Sequence, residues 1–79
     1  MMSQLQAIIN RLNSLRENTL QGDLSQRFFE VEGEKKCSVK FFQNNNAFEL
    51  EVYEKGEQSK RYQFDNIDMI AIEIFDLIQ

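Results

Sequence analysis

The chain changes hydrophobic period twice. From Leu5 the apolar residues recur at Leu5, Ile8, Ile9, Leu12, Leu15 and Thr19/Leu20. At 100° per residue they fill an arc of about 140°, as expected of an amphipathic helix with one buried side. Ser3 is the expected N-cap, and Gly22 with Asp23 supplies the turn that ends the segment. Arg16 is the one charge whose angle falls inside the apolar arc. One turn from the helix end, it is expected to lay its stem on the core and lift its guanidinium to water.

The middle of the chain alternates instead. QRFFEVE, KCSVKFF, AFELEVYE and SKRYQF are rich in β-branched and aromatic residues and are separated by GEK, QNNN and KGE. They predict four strands in an antiparallel meander. Apolar residues of neighbouring strands must share a face, and a one-residue slip would turn every side chain over. The pairings that satisfy this set Val31 opposite Cys37 and Phe29 opposite Val39, with a three-residue loop at Gly33. They also set Phe41 opposite Phe48, Val39 opposite Leu50 and Cys37 opposite Val52, around the four-residue loop QNNN. Leu50 then faces Tyr62 and Phe48 faces Phe64, with a three-residue loop around Gly56. On the other face the same register places Lys40 opposite Glu49 and Glu51 opposite Arg61. These attractive pairs are independent of the apolar pairing and agree with it.

The last segment, FDNIDMIAIEIFDLIQ, returns to helical spacing. Ile67, Ile70, Ala71, Ile74, Phe75, Leu77 and Ile78 span an arc of about 160°. Asp65 is the expected N-cap, and Asp68 places a negative charge in the first turn, where the helix dipole favours it. Met69 and Ile72 fall outside the apolar arc, among Asp68, Glu73 and Asp76. The whole is read as a single small α+β domain over residues 1–79. Its architecture is a two-layer α-β(4)-α arrangement, with a four-stranded antiparallel meander and both helices on one sheet face.

Composition narrows the function classes. Histidine is absent, which removes the commonest general base and metal ligand. The three glycines are widely spaced, so no loop of the kind that cradles phosphates is present. The net charge of −4 is concentrated in the last fifteen residues, which hold Asp65, Asp68, Glu73 and Asp76 and no base. The single cysteine has no intrachain partner, in keeping with a cytoplasmic location, and no apolar run is long enough for a membrane span. No cofactor is expected.

Three stretches carry a resemblance to a known family: MSQLQAIINRLNSL from Met2 to Leu15, FFEVEGEKKCSVKFF from Phe28 to Phe42, and YQFDNIDMIAIEIFDLIQ from Tyr62 to Gln79. With these the chain resembles the YkuJ-like family of small proteins from Gram-positive bacteria. The resemblance implies a small α+β fold with an antiparallel sheet, and it brings no activity, cofactor or catalytic residue.

Two surfaces are left as candidates. One is the last helix, where Met69 and Ile72 lie among Glu73 and Asp76 as apolar anchors in an acidic setting. The other is the outer sheet face, with Phe28, Phe42 and Tyr53. Aromatics interleaved with Lys36, Lys40 and Arg61 would suit single-stranded nucleic acid, but Glu30, Glu32, Glu49 and Glu51 share that face and repel a phosphate backbone. Glu49 and Glu51 each have an opposing base, which makes them surface ion pairs before catalytic carboxylates. Cys37 is placed on the apolar face as a packing residue, and a thiol-dependent or small-ligand enzyme centred on it is the alternative. The leading expectation is a non-enzymatic module that self-associates as a homodimer or docks another protein.

Overall fold

A computed structural model describes residues 3–22 and 26–79. The order of elements is α1 (Gln4–Leu20), β1 (Arg27–Val31), β2 (Glu34–Phe42), β3 (Ala47–Val52), β4 (Lys60–Phe64) and α2 (Ile67–Leu77). The strands form one antiparallel sheet in the order β1-β2-β3-β4. The α+β reading and the meander are therefore correct.

α1 starts where its cap requires. Ser3 Oγ accepts from the Gln6 amide at 3.0 Å, satisfying one of the donors a helix start leaves open. Past its end Gly22 adopts φ 94°, a left-handed conformation that only glycine takes without a Cβ penalty; Asp23 lies outside the described residues. Ile8, Leu12 and Leu15 are buried, and so is Thr19, whose hydroxyl donates to the Leu15 carbonyl at 2.9 Å. Arg16 is half-buried and its guanidinium donates to Asn13 Oδ1 at 2.8 Å. α2 is capped by Asn66 rather than Asp65. The Asn66 side chain accepts from the Asp68 and Met69 amides at 2.8 and 3.1 Å, one residue further along than charge patterning suggests.

The two helices share one sheet face. Ile8, Leu12 and Leu15 of α1 and Ile70, Ala71 and Ile74 of α2 form a single core cluster with Phe29, Cys37, Val39, Phe41, Phe48, Leu50 and Val52. The cross-strand pair Phe41 and Phe48 sits with ring centroids 5.0 Å apart, within the range where aromatic pairs gain beyond their area.

The register agrees with expectation for two of the three hairpins. Phe41 faces Phe48, Val39 faces Leu50 and Cys37 faces Val52; Leu50 faces Tyr62 and Phe48 faces Phe64. The first hairpin differs. Phe29, not Val31, faces Cys37, and Arg27 faces Val39. The turn is the two residues Glu32 and Gly33, with φ 53° and 80°, the double positive φ of a tight hairpin turn. Lys36 is then the extra residue of a bulge, because Phe29 pairs with Cys37 while Glu30 pairs with Lys35. The β3–β4 pairing ends at Val52 and Lys60. Residues 53–59 form the connection, longer than the three-residue loop expected around Gly56.

Candidate interaction surfaces

The residues named from the sequence lie on two opposite sides of the molecule. Met69, Ile72, Glu73 and Asp76 follow one another at helical spacing on the side of α2 away from Ile70, Ala71 and Ile74. Met69 is 59% and Ile72 51% exposed. Asp68 stands in the first turn, the favourable end of the helix dipole, and the last turn holds no base. Asp76 thus faces the electronegative helix end without compensation. The two ion pairs among the described residues, Lys36 with Glu34 and Arg61 with Glu51, leave these acids out.

The outer sheet face is built around a polar side chain. Ser38 is 1% exposed although the strand alternation points it away from the core. Gln26 Nε2 donates to Ser38 Oγ at 3.0 Å, and Ser38 Oγ lies 2.9 Å from the Tyr53 hydroxyl. Tyr53 donates in turn to Glu51 Oε1 over a long 3.4 Å. An ionised carboxylate can only accept, so the Tyr53 proton goes to Glu51 and Ser38 must be the donor to Tyr53. All bonds of the chain therefore run one way, from Gln26 to Glu51, an arrangement in which each bond polarises the next.

Glu51 is the terminus of that chain. Ser59 Oγ donates to its Oε2 at 2.6 Å, and Arg61 Nε is 3.7 Å from the same oxygen. The Ser59 bond is the main reason the carboxyl is held below its ordinary range. Partial burial pulls upward, and Arg61, Tyr53 and Lys40 add to the lowering. Of the two cross-strand charge pairs expected here, Glu51 with Arg61 closes within 4.0 Å, while Lys40 and Glu49 are neighbours by register.

Phe28 pairs with Ser38 across the strands, and Lys35 Nζ lies 4.2 Å above its ring. Tyr53 follows the end of β3, its amide bonded to the Lys36 carbonyl at 3.1 Å. Phe28 and Tyr53 thus flank Ser38. Phe42 does not join them. It sits at the far end of β2 opposite Ala47, 40% exposed, on a shallow depression of about 280 Å³ shared with Thr19, Gly22 and Asn44.

Cys37 is fully buried in the core. Burial pushes its thiol up to about 11, against a smaller downward pull from the Arg11 charge. At neutral pH it is a thiol, not a thiolate, as suits a packing residue. Among the described residues no helix is long and apolar enough to cross a membrane.

A family model described as "Protein of unknown function (DUF1797)" matches residues 8–78. The chain belongs to the DUF1797 family. It is 57% identical over 79 residues to the uncharacterized protein YkuJ of Bacillus subtilis (strain 168), covering 99% of this chain and 100% of that protein. The X-ray structure of the YkuJ protein from Bacillus subtilis superposes with a TM-score of 0.90 at 56% identity, over 98% of this chain and 99% of the other. The resemblance read from the sequence is correct, and the fold it implies is shared with a solved relative.

Three members of this DUF1797 chain's outer-face network, Gln26, Ser38 and Ser59, escape a reading by pattern. Ser38 sits between Lys36 and Lys40 where any polar residue satisfies alternation, and Ser59 lies in a loop. In the folded sheet Ser38 is flanked in register by Phe28 and Glu51, whereas the register expected from the sequence sets it opposite Glu30, so alternation carries no signal for the network.

Proposed function

We propose that this DUF1797 chain is a non-catalytic protein-interaction module. Its outward strip of α2 docks a partner that places basic side chains around an apolar contact. The observation behind this reading is the exposure of Met69 and Ile72, one turn apart, beside Glu73 and Asp76 on a helix with no base in its last turn. Exposed apolar residues rimmed by charge are a usual feature of contact surfaces. An acid at the wrong end of the helix dipole costs the isolated fold stability and gains it back only against a cation. The deeply buried thiol gives the competing reading, chemistry at Cys37, no accessible nucleophile. The unpaired cysteine suits a reducing compartment, and we place the module in the cytoplasm.

An NMR titration with an amphipathic lysine–leucine peptide tests this directly. Shifts should concentrate at Met69, Ile72, Glu73 and Asp76, weaken with salt, and vanish in the Met69→Lys and Ile72→Lys variants while those variants keep the native spectrum. Shifts centred on the outer sheet face, or unchanged in the variants, would sink the reading.

A further inference from the structure

The two edges of the sheet are not equally protected. At β1 the bulge at Lys36 distorts the hairpin, and Arg11 reaches over from α1. Its guanidinium donates to the Phe28 carbonyl at 2.8 Å and stacks 4.2 Å above the Phe29 ring. Bulges and covering side chains are the usual ways of blunting an edge. β4 has neither. Its pairing with β3 runs without interruption from Val52–Lys60 to Phe48–Phe64, and Lys60, Arg61, Tyr62 and Gln63 are all exposed. No side chain among the described residues bonds to a backbone group of this strand.

The geometry points to β4 as a self-association edge that pairs antiparallel with β4 of a second copy, about a two-fold axis at Tyr62. The charge order along the strand selects this partner. Lys60 and Arg61 lie at its start and Phe64 and Asp65 at and just beyond its end. Parallel pairing in register would set the bases of the two copies together. Antiparallel pairing about Tyr62 instead sets Lys60 against the partner's Phe64 and Arg61 against the partner's Gln63, so that no two bases are directly opposed and the partner's Asp65 and the partner's Arg61 are the two diagonal neighbours of Arg61. Ammonium over aromatic and guanidinium beside carboxylate are both favourable. The axis brings the two Tyr62 rings together on the helix side of the sheet, where Tyr62 is 47% exposed in the single chain.

Side chains directly opposite one another must share a face, so the axis has to pass through a residue rather than between two. Tyr62 is the middle residue of the strand, and an axis there lets all five residues pair. The α2 strip cannot take this role, because its acids would meet their own copies with no base on the helix to offset them. Self-association and partner docking thus fall on different surfaces, and either can fail without the other.

Sedimentation equilibrium of the whole chain, from submicromolar to high micromolar concentration, provides the test. The weight-average mass should rise from 9.4 kDa toward twice that value; a constant 9.4 kDa overturns the proposal. Tyr62→Lys places like charges on the axis and should hold the chain at monomer mass with an unchanged circular dichroism spectrum. Should that variant unfold, Asp65→Arg, outside the strand, should weaken association at least tenfold. Asp65→Asn, which removes the charge without reversing it, should weaken it less. Association as tight as wild type in Asp65→Arg, or loss of the dimer only in Met69→Lys and Ile72→Lys, would overturn the assignment to β4.

Discussion

Strand β2 shows two kinds of environment back to back. Toward the helices Cys37 and Val39 are fully buried and Phe41 nearly so, all within the apolar cluster. On the reverse of the same strand Lys36 is half-buried, Lys40 and Phe42 are exposed, and Ser38 alone is buried. The helix side asks only that alternate residues be apolar and fit, because burial is non-directional and each neighbour contributes a little. The reverse side buries a hydroxyl, which is tolerable only with specific partners. Ser38 has two, Gln26 and Tyr53. One face therefore depends on volume and the other on the direction of individual bonds.

That contrast can be broken most severely from the helix side. Leu50 is fully buried on the central strand β3, and Leu50→Ala should cost about 2–5 kcal/mol in urea denaturation. A domain of this size has only about 4–12 kcal/mol in total, so the variant should lose a large share of it. Truncation on the reverse side should be milder. Ser38→Ala removes the middle of the hydrogen-bonded chain but leaves Gln26 and Tyr53 near enough to solvent to rehydrate, for an expected loss of about 0.5–1.5 kcal/mol. A loss matching that of Leu50→Ala would mean that the outer face is as tightly built as the core.

The smallest effect concerns Glu51, whose carboxyl is lower in the folded chain than in the unfolded one. A lowered acid contributes stability above its unfolded value and loses it as pH falls through the folded value. Wild type should therefore shed a little more stability than Glu51→Gln on acidification below the ordinary glutamate range. Ser59→Ala, which removes the 2.6 Å bond, should move the Glu51 titration upward when followed by NMR. An unmoved titration would show that Arg61 and Tyr53 hold the carboxylate without it.

The same division decides what could be read from the chain. Alternation gives the face each strand residue takes, and the β2–β3 and β3–β4 registers agree with the apolar pairing it suggests. Alternation is silent about shifts of two, since these keep every side chain on its face. In the first hairpin the turn decides instead. Glu32 is not a residue expected at positive φ, so a two-residue turn there is hard to anticipate, and with it the bulge at Lys36. The α2 cap is Asn66 rather than Asp65 for a related reason. Asp65 and Asn66 are both good caps, and the choice depends on which one the strand leaves in an extended conformation at the helix mouth. The exposed strip of α2 was legible because helical spacing settles it. The outer-face network was not, because it joins Gln26, before β1, to Ser59, in the loop after β3, through four hydrogen bonds that no period encodes.

Cys37 has a use that follows from its position. It is the one thiol in the chain, lies at the centre of the sheet's helix side and is fully enclosed. A reagent that needs the thiolate can reach it only after the helices part from the sheet, so each modified molecule records one opening event. The protein thus carries its own stopwatch for core opening, readable by mass spectrometry without an added probe.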